Sequence, residues 1–236
     1  MFTLYTTPLS ANGRKVLAVS RHLGLAPQVH TINVYAGEGR APDYLAINPF
    51  GKIPTLVDGE LTLWESNAIL EYIAEAYGDY RLSSRDPKRR ADIGRWLFWE
   101  SAHWQPTLTL LPGLATVVAG LLRPESASPG PDDVQWGDAR FRSLASFLDE
   151  HLRGCRFLAG GEVTLADFSV AAMMMYAHVA RFPFDQFESI AAWYARIEAL
   201  DAWKATAVGP WRDNLDDSRT GAPVTIRSPA ISGGPR

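Results

Sequence analysis

Residues 48–69 read Asn48-Pro-Phe-Gly-Lys-Ile-Pro-Thr-Leu-Val-Asp-Gly-Glu-Leu-Thr-Leu-Trp-Glu-Ser-Asn-Ala-Ile69, and several signals are nested in that run. Thr55-Leu-Val and Leu61-Thr-Leu flank Asp58-Gly59, a dipeptide favoured in tight hairpin turns because both residues tolerate positive φ. Directly after the hairpin, Ser66 to Tyr77 carries Ile69, Leu70, Ile73 and Tyr77 at helical spacing and stops at Gly78. Ile53-Pro54 stands just before the first strand, where a proline cannot supply the ladder N–H of a central position. A special geometry at the strand start, a cis peptide among them, or a plain turn would each account for it.

Outward toward the N-terminus, Phe2-Thr-Leu-Tyr alternates at period two and reads as a strand. Arg14 to Leu23 has Val16, Ser20 and Leu23 at helical spacing, with Gly24 and Pro27 ending it. Gln28 to Val34 puts His30, Ile32 and Val34 on one face, a second strand. The order β-α-β then β-β-α is the thioredoxin-like plan, although composition alone does not separate it from other small α/β arrangements. Outward toward the C-terminus the pattern turns helical, with helices expected near 87–122, 132–153, 165–180 and 188–207. Residues 123–133 are rich in Pro, Ser and Gly and read as a loop. The expected organisation is an α/β domain over 1–80, a linker over 81–86, an all-helical domain over 87–211 and a disordered tail over 212–236. The tail is polar and rich in Pro and Gly, with too little apolar surface to offset its ordering entropy.

The 236 residues are 47% hydrophobic and 21% charged, with a formal net charge of -3, the profile of an ordinary globular protein. That charge argues against a general nucleic-acid binder, which would show a basic stripe. Arg85, Lys88, Arg89 and Arg90 form a basic run, but Asp86 and Asp92 dilute it and it reads as a solvated helix start. The single cysteine, Cys155, rules out an intrachain disulfide and a cysteine metal cluster. His22, His30, His103, His151 and His178 lack metal-ligand spacing, so no metal is expected. The first residues show no signal-peptide pattern, and the longest apolar stretch is broken by Pro112 and Gly113. A cytoplasmic protein without a membrane span is expected.

Two further stretches carry chemistry. Glu65-Ser66 opens a helix, where Ser66 would serve as an N-cap or its N–H groups would receive a carboxylate, with Glu65 available to a ligand's ammonium group. Thr7-Pro-Leu-Ser-Ala-Asn-Gly-Arg-Lys places Ser10 between the first strand and the first helix. There its hydroxyl would cap the helix or donate to an anion such as a thiolate, whose ordinary pKa of roughly 8.5 a positive helix end lowers. Val163-Thr-Leu-Ala-Asp-Phe has Thr164 and Asp167 at capping-box spacing, with Val163 and Phe168 as a hydrophobic staple, a structural device. Trp96, Phe98, Trp99 and Trp104 crowd one helix, a stripe that reads first as core.

These segments resemble the cytosolic glutathione transferases, over nearly the whole chain to about Trp211. Asn48-Pro-Phe-Gly-Lys-Ile-Pro and Glu65-Ser66-Asn-Ala-Ile are similar to the family's glutathione site in type and spacing. The resemblance implies a cis Pro54 and backbone pairing of Ile53 with the cysteinyl part of glutathione. It implies that Glu65 and Ser66 hold the γ-glutamyl end, and that Lys52 and Arg40 meet the glycyl carboxylate. Ser10 resembles the catalytic serine of the phi and theta classes. Ser10-Ala-Asn-Gly-Arg-Lys also resembles a nu-like bacterial pattern in which Asn12 would share or take over thiolate stabilisation. Tyr5 lies too early for a tyrosine-type catalyst, and no cysteine occupies the loop. Leu9, Trp104, Leu108 and Leu111 are implied as walls of the electrophile pocket. The implied activity is conjugation of glutathione to a hydrophobic electrophile, by a homodimer. A glutathione-dependent disulfide or peroxide reductase and a non-catalytic interaction module are the alternatives.

Overall fold

The structure, a computed structural model, describes residues 1–7, 9–111, 136–178 and 181–207. The expected loop 123–133, the expected helical stretches 112–122 and 132–135, and the expected tail 212–236 lie outside the described residues. Strands β1 (Thr3–Thr6), β2 (Gln28–Thr31), β3 (Thr55–Asp58) and β4 (Leu61–Trp64) form one sheet in the order β2-β1-β3-β4. The β1–β2 pair is parallel and the other two are antiparallel. The parallel pair demands a crossover, and helix α1 (Ala11–His22) supplies it.

Alternation along the strands sorts the side chains onto two faces. Leu4 and Leu56 face α1 and α3 (Ser66–Ala76) in the main core, whereas Tyr5 and Ile32 meet Tyr44 of α2 (Pro42–Ile47) in a small second cluster. Strand β2 stops at Thr31 rather than Val34, because Asn33 Oδ1 accepts from Ala36 N (3.0 Å) and starts a 3-10 turn. Helix α1 begins three residues before Arg14, since the Ser10 side chain accepts from Gly13 N (3.0 Å) and caps it.

In the helical half, the Asp86 carboxylate accepts from Lys88 N and Arg89 N at the start of α4 (Pro87–Trp99). The expected long helix is then interrupted by a π-helical turn over Glu100–Trp104 before α5 (Gln105–Leu110). Pro106 has no N–H to close an α-helical bond there, and the register shifts immediately ahead of it. Helix α6 (Ala139–Arg153) starts at the cap Asp138, which accepts from Arg140 N and Phe141 N, later than the expected 132.

Helix α7 (Leu165–Ala172) is buried on every side and begins at the expected capping box: Asp167 Oδ2 accepts from Thr164 N (2.8 Å). Its other oxygen accepts from Leu158 N (2.9 Å) and Trp193 Nε1 (2.9 Å), so one carboxylate fixes three segments. Helices α8 (Glu188–Glu198) and α9 (Asp201–Lys204) close the described chain. Phe2, Leu4, Val16, Phe168, Trp193 and Trp203 belong to one continuous buried cluster, so the sheet and the helical half share a core. Among the described residues no helix is long and apolar enough to cross a membrane.

Candidate functional site

The loop ahead of β3 is clamped by the side chains of Tyr44, Asn48 and Thr55. The carbonyl of Lys52 accepts from Tyr44 Oη (2.5 Å) and from Asn48 Nδ2 (2.9 Å). Asn48 Nδ2 also reaches Thr55 Oγ1 (2.9 Å), while Asn48 Oδ1 accepts from Phe50 N (3.0 Å). Tyr44, Asn48 and Thr55 are fully buried, where polar groups are stable only when paired. The clamp therefore holds the peptide immediately before Ile53, and the Ile53–Pro54 bond is cis. Ile53 precedes the β3 ladder, which pairs Thr55 with Tyr5.

Two glycines let this loop meet its neighbour. A Cβ on Gly51 would come within 2.6 Å of the Gly39 carbonyl oxygen, and one on Gly39 within 2.7 Å of the Gly51 oxygen. The two backbones touch, and Gly51 also has φ +67. The contact also brings Arg40 to this loop: its Nη1 lies 3.6 Å from where a Gly51 side chain would start. Both Arg40 and Lys52 are exposed.

At the other end, Glu65 adopts φ 69 and ψ 107, a conformation few non-glycine residues take. Such backbone costs of order 1–3 kcal/mol and concentrates at functional sites. The exposed Glu65 side chain makes no capping bond to α3, so the N–H groups of that helix end are not filled by it. Ser66 Oγ lies 3.3 Å from Asn12 Oδ1, which links the start of α3 to the first turn of α1.

That first turn carries Ser10. Its oxygen accepts from Gly13 N, so the hydroxyl proton remains available to an acceptor in the crevice; capping and thiolate stabilisation are compatible roles. The Ser10 loop is also held from the helical half: Tyr176 Oη donates to the Leu9 carbonyl (2.6 Å). Arg14 lies over the Trp203 ring (4.1 Å to the centroid) and its Nε donates to Thr206 Oγ1 (3.3 Å), tying α1 to α9. Burial lowers the Arg14 pKa.

Ser10, Asn12 and Ser66 are thus brought together, with Glu65 beside Ser66 and Ile53–Pro54 opening the adjacent strand. Leu9, Trp104, Leu108 and Leu111 are all buried. Trp104 stacks on Trp99 and Phe141 within the helical core. Leu108 also lines a small apolar cavity with Trp136, Met173, Met174, Tyr176 and Phe182.

A further cluster went unread in the sequence. Lys15, Asn67, Glu100 and Ser169 meet beneath the crevice, with Lys15 and Glu100 paired at 3.1 Å and both 0% exposed. Burial lowers the Lys15 ammonium pKa, and the adjacent Glu100 opposes that shift. The available signal was a lone acid in an aromatic helix and a lone serine in an apolar one.

Comparison with known proteins agrees with this architecture. The family model "Glutathione S-transferase, N-terminal domain" matches residues 1–75, and "Glutathione S-transferase, C-terminal domain" matches residues 131–201. A probable glutathione S-transferase from Oryza sativa subsp. japonica is 30% identical over 200 residues, covering 83% of this chain and 91% of the relative. The crystal structure of a Populus trichocarpa glutathione transferase superposes with a TM-score of 0.74 at 27% identity, covering 87% of this chain and 97% of its own. A theta-class enzyme from the citrus canker pathogen Xanthomonas axonopodis pv. citri, solved with glutathione bound, superposes at 0.75 with 26% identity, over 88% of this chain and 97% of its own. With a four-stranded sheet domain, a helical domain and both family models matched in order, the chain belongs to the glutathione S-transferase family.

Proposed function

We propose that this glutathione transferase binds the tripeptide along the crevice between β3, α3 and α1, and ionises its thiol beside Ser10. The observation that carries the reading is the junction of Ser10, Asn12 and Ser66 at two helix starts, together with a cis Ile53–Pro54 peptide at the entry to β3, the strand paired with β1. Ile53 would pair through its backbone with the cysteinyl residue, as an added strand pairs with a sheet edge. The uncapped start of α3 and Ser66 would take the γ-glutamyl α-carboxylate, and Glu65 the ammonium group. Lys52, with Arg40 beside it, would take the glycyl carboxylate.

The Ser10 hydroxyl would donate to the thiolate, with Asn12 sharing that role. The thiol proton leaves to solvent and the sulfur lone pair attacks the electrophilic carbon to form the C–S bond. In a substitution the leaving group departs with its bonding pair; in an addition the displaced π pair moves onto the acceptor, which takes a proton from water. Fixed donors at the sulfur and a held acceptor supply the rate. The acceptor is proposed to be hydrophobic, bounded by Leu9, Leu108 and Leu111, with Trp104 packed behind them. A cytoplasmic setting accords with a thiol co-substrate and a lone cysteine.

The reading extends to a homodimer. Phe50 and Trp64 stack at 5.8 Å between centroids while 54% and 44% exposed, an apolar pair that a second subunit would cover. Sedimentation of the purified protein checks this, and a monomer at micromolar concentration would remove it.

The site itself is tested by titrating the protein with glutathione near pH 7 and following thiolate absorbance in the ultraviolet. A saturable thiolate signal, lost in Ser10→Ala, is expected. Binding without a thiolate would instead mark an interaction module.

A further inference from the structure

Four hydrogen bonds among the described residues hold Ser10 and the peptide ahead of it. Ser10 Oγ accepts from Gly13 N (3.0 Å), its carbonyl accepts from Arg14 N (2.8 Å), and its N–H donates to the Thr7 carbonyl (3.0 Å). Those three partners are local and travel with the loop. The fourth comes from the other domain: Tyr176 Oη donates to the Leu9 carbonyl at 2.6 Å, across 167 positions. Because the Leu9–Ser10 peptide is planar, a fixed carbonyl also fixes the N–H on its other side. Ser10 sits at φ -88 and ψ 116, and with that peptide pinned at both ends the rotamer wells of its side chain point in set directions.

The tyrosine is itself anchored. It ends the 3-10 turn Met173–Tyr176 that follows α7, and the Met174 carbonyl in that turn accepts from Ala177 N (2.8 Å) and from Tyr194 Oη of α8 (2.8 Å). Tyr176 and Leu9 are both buried, so solvent does not compete for the bond between them. A phenol has one proton. Here that proton goes to a carbonyl, so Tyr176 does not donate to an incoming sulfur at the same time. We propose that Tyr176 is a positioning residue for thiol ionisation: from the helical domain it holds the Leu9–Ser10 peptide, which aims the Ser10 hydroxyl at the glutathione sulfur. This rests on the role given to Ser10 above. A donor stabilises developing charge most when it is aimed before the charge appears, and a misplacement of about 1 Å costs up to about 10²-fold in rate. The helical domain thereby shares in setting the acidity of a thiol placed on the sheet domain.

The test is Tyr176→Phe, which keeps the ring and removes the donor. The readout is the ultraviolet absorbance of the bound glutathione thiolate against pH, with kcat on an activated aryl halide over the same range. The acid limb of both curves should move up by about one pH unit, which is a tenfold loss well below the parent midpoint. The KM for glutathione should stay within about twofold, and Tm should fall by only a few degrees. An unmoved limb in the folded variant would overturn the proposal and leave Tyr176 as a packing residue. The same substitution in a Ser10→Ala background separates the routes. If Tyr176 acts through Ser10, removing its hydroxyl has no further effect there. A limb that moves as far as it does in the parent would overturn the positioning role by revealing a second path to the sulfur. When Ser10→Ala alone moves the limb and Tyr176→Phe does not, only the positioning role falls; when Ser10→Ala leaves the limb in place, the role given to Ser10 is wrong. Should Tyr176→Phe fail to fold, Tyr194→Phe frees the turn but keeps the Tyr176 hydroxyl. It is expected to move the limb in the same direction, and an unmoved limb there overturns the proposal equally.

Discussion

Asn12 and Lys15 stand on one face of one helix, yet the clusters around them are built differently. The group around Asn12, with Ser10 and Ser66, is partly exposed, and its bonds are 3.0–3.3 Å. In the group around Lys15, the side chains of Lys15, Glu100 and Ser169 are buried and Asn67 is half-buried, and each member holds at least two others. A site that must exchange partners with a ligand is under-bonded when empty, while a scaffold is bonded redundantly because an unpaired buried charge is costly. The difference separates residues whose loss should appear in turnover from those whose loss should appear in stability.

The largest expected effect breaks the inner cluster by half. Lys15→Met strands Glu100 without its cation, and removing one partner of a buried pair costs about 3–5 kcal/mol. For a chain of this size that lowers Tm by roughly 10 °C in a thermal melt. A loss below about 1 kcal/mol would mean that the inner cluster is no more redundant than the outer one.

Ser10→Ala is the matching test outside. It should lower kcat by about 10²–10³, the range seen for loss of one preorganised donor. Because Ser10 also caps α1, a stability loss of about 1 kcal/mol is expected alongside. A kcat loss no larger than that cap cost implies would move thiolate stabilisation to Asn12 or to backbone donors. Glu65→Gln comes next, weakening glutathione binding by about 10-fold or more, as for a hydrogen bond to a charged group, with the Tm nearly unmoved. A Tm that falls with the affinity would place Glu65 in the scaffold instead.

The same contrast explains what the sequence could show. Asp58-Gly59 announced the hairpin and Thr164 with Asp167 announced a helix start, because turn and cap chemistry is local. Ser10 caps α1 as its position announces; Ser66 is the first residue of α3 rather than its cap, and its hydroxyl bonds to Asn12, 54 positions away. The cis Pro54 was legible only as one alternative until the family resemblance favoured it. Lys15 and Glu100 are 85 positions apart, and the pairing of a cation with an acid in an aromatic stripe is a property of packing. The π turn was hidden likewise, since Trp96, Phe98, Trp99 and Trp104 read as one continuous helical pattern. Tyr44, which holds the Lys52 carbonyl with Asn48, is an anonymous residue until the loop closes over it, and Asn48 stands in the quoted motif without a role until then.

The smallest expected effect comes from the far end of α3, where a third polar group serves as a control on both clusters. The hydroxyls of Tyr72 (2.7 Å) and Tyr77 donate to Asp58 Oδ2, tying the hairpin to the helix. Those donors, Tyr77 first, hold the Asp58 carboxyl below its ordinary range, and the same bond pushes the Tyr77 hydroxyl up to about 12. A depressed carboxyl contributes stability that is present above its unfolded pKa of about 3.9 and lost as pH falls through the folded value. A raised phenol contributes stability that is present below its unfolded pKa of about 10 and lost as pH climbs toward about 12. The tie should therefore operate from about pH 4 to about pH 10 and fade outside that window. Tyr77→Phe should lower Tm slightly within the window, and the gap from the parent should close at both ends. A gap of constant size across pH would assign the loss to packing against Phe2 rather than to the bond with Asp58. Turnover at neutral pH should not follow Tm, because Tyr77 lies about 16 Å along α3 from Ser66. A kcat that tracked this variant would show that the outer cluster senses the whole helix, not its start alone.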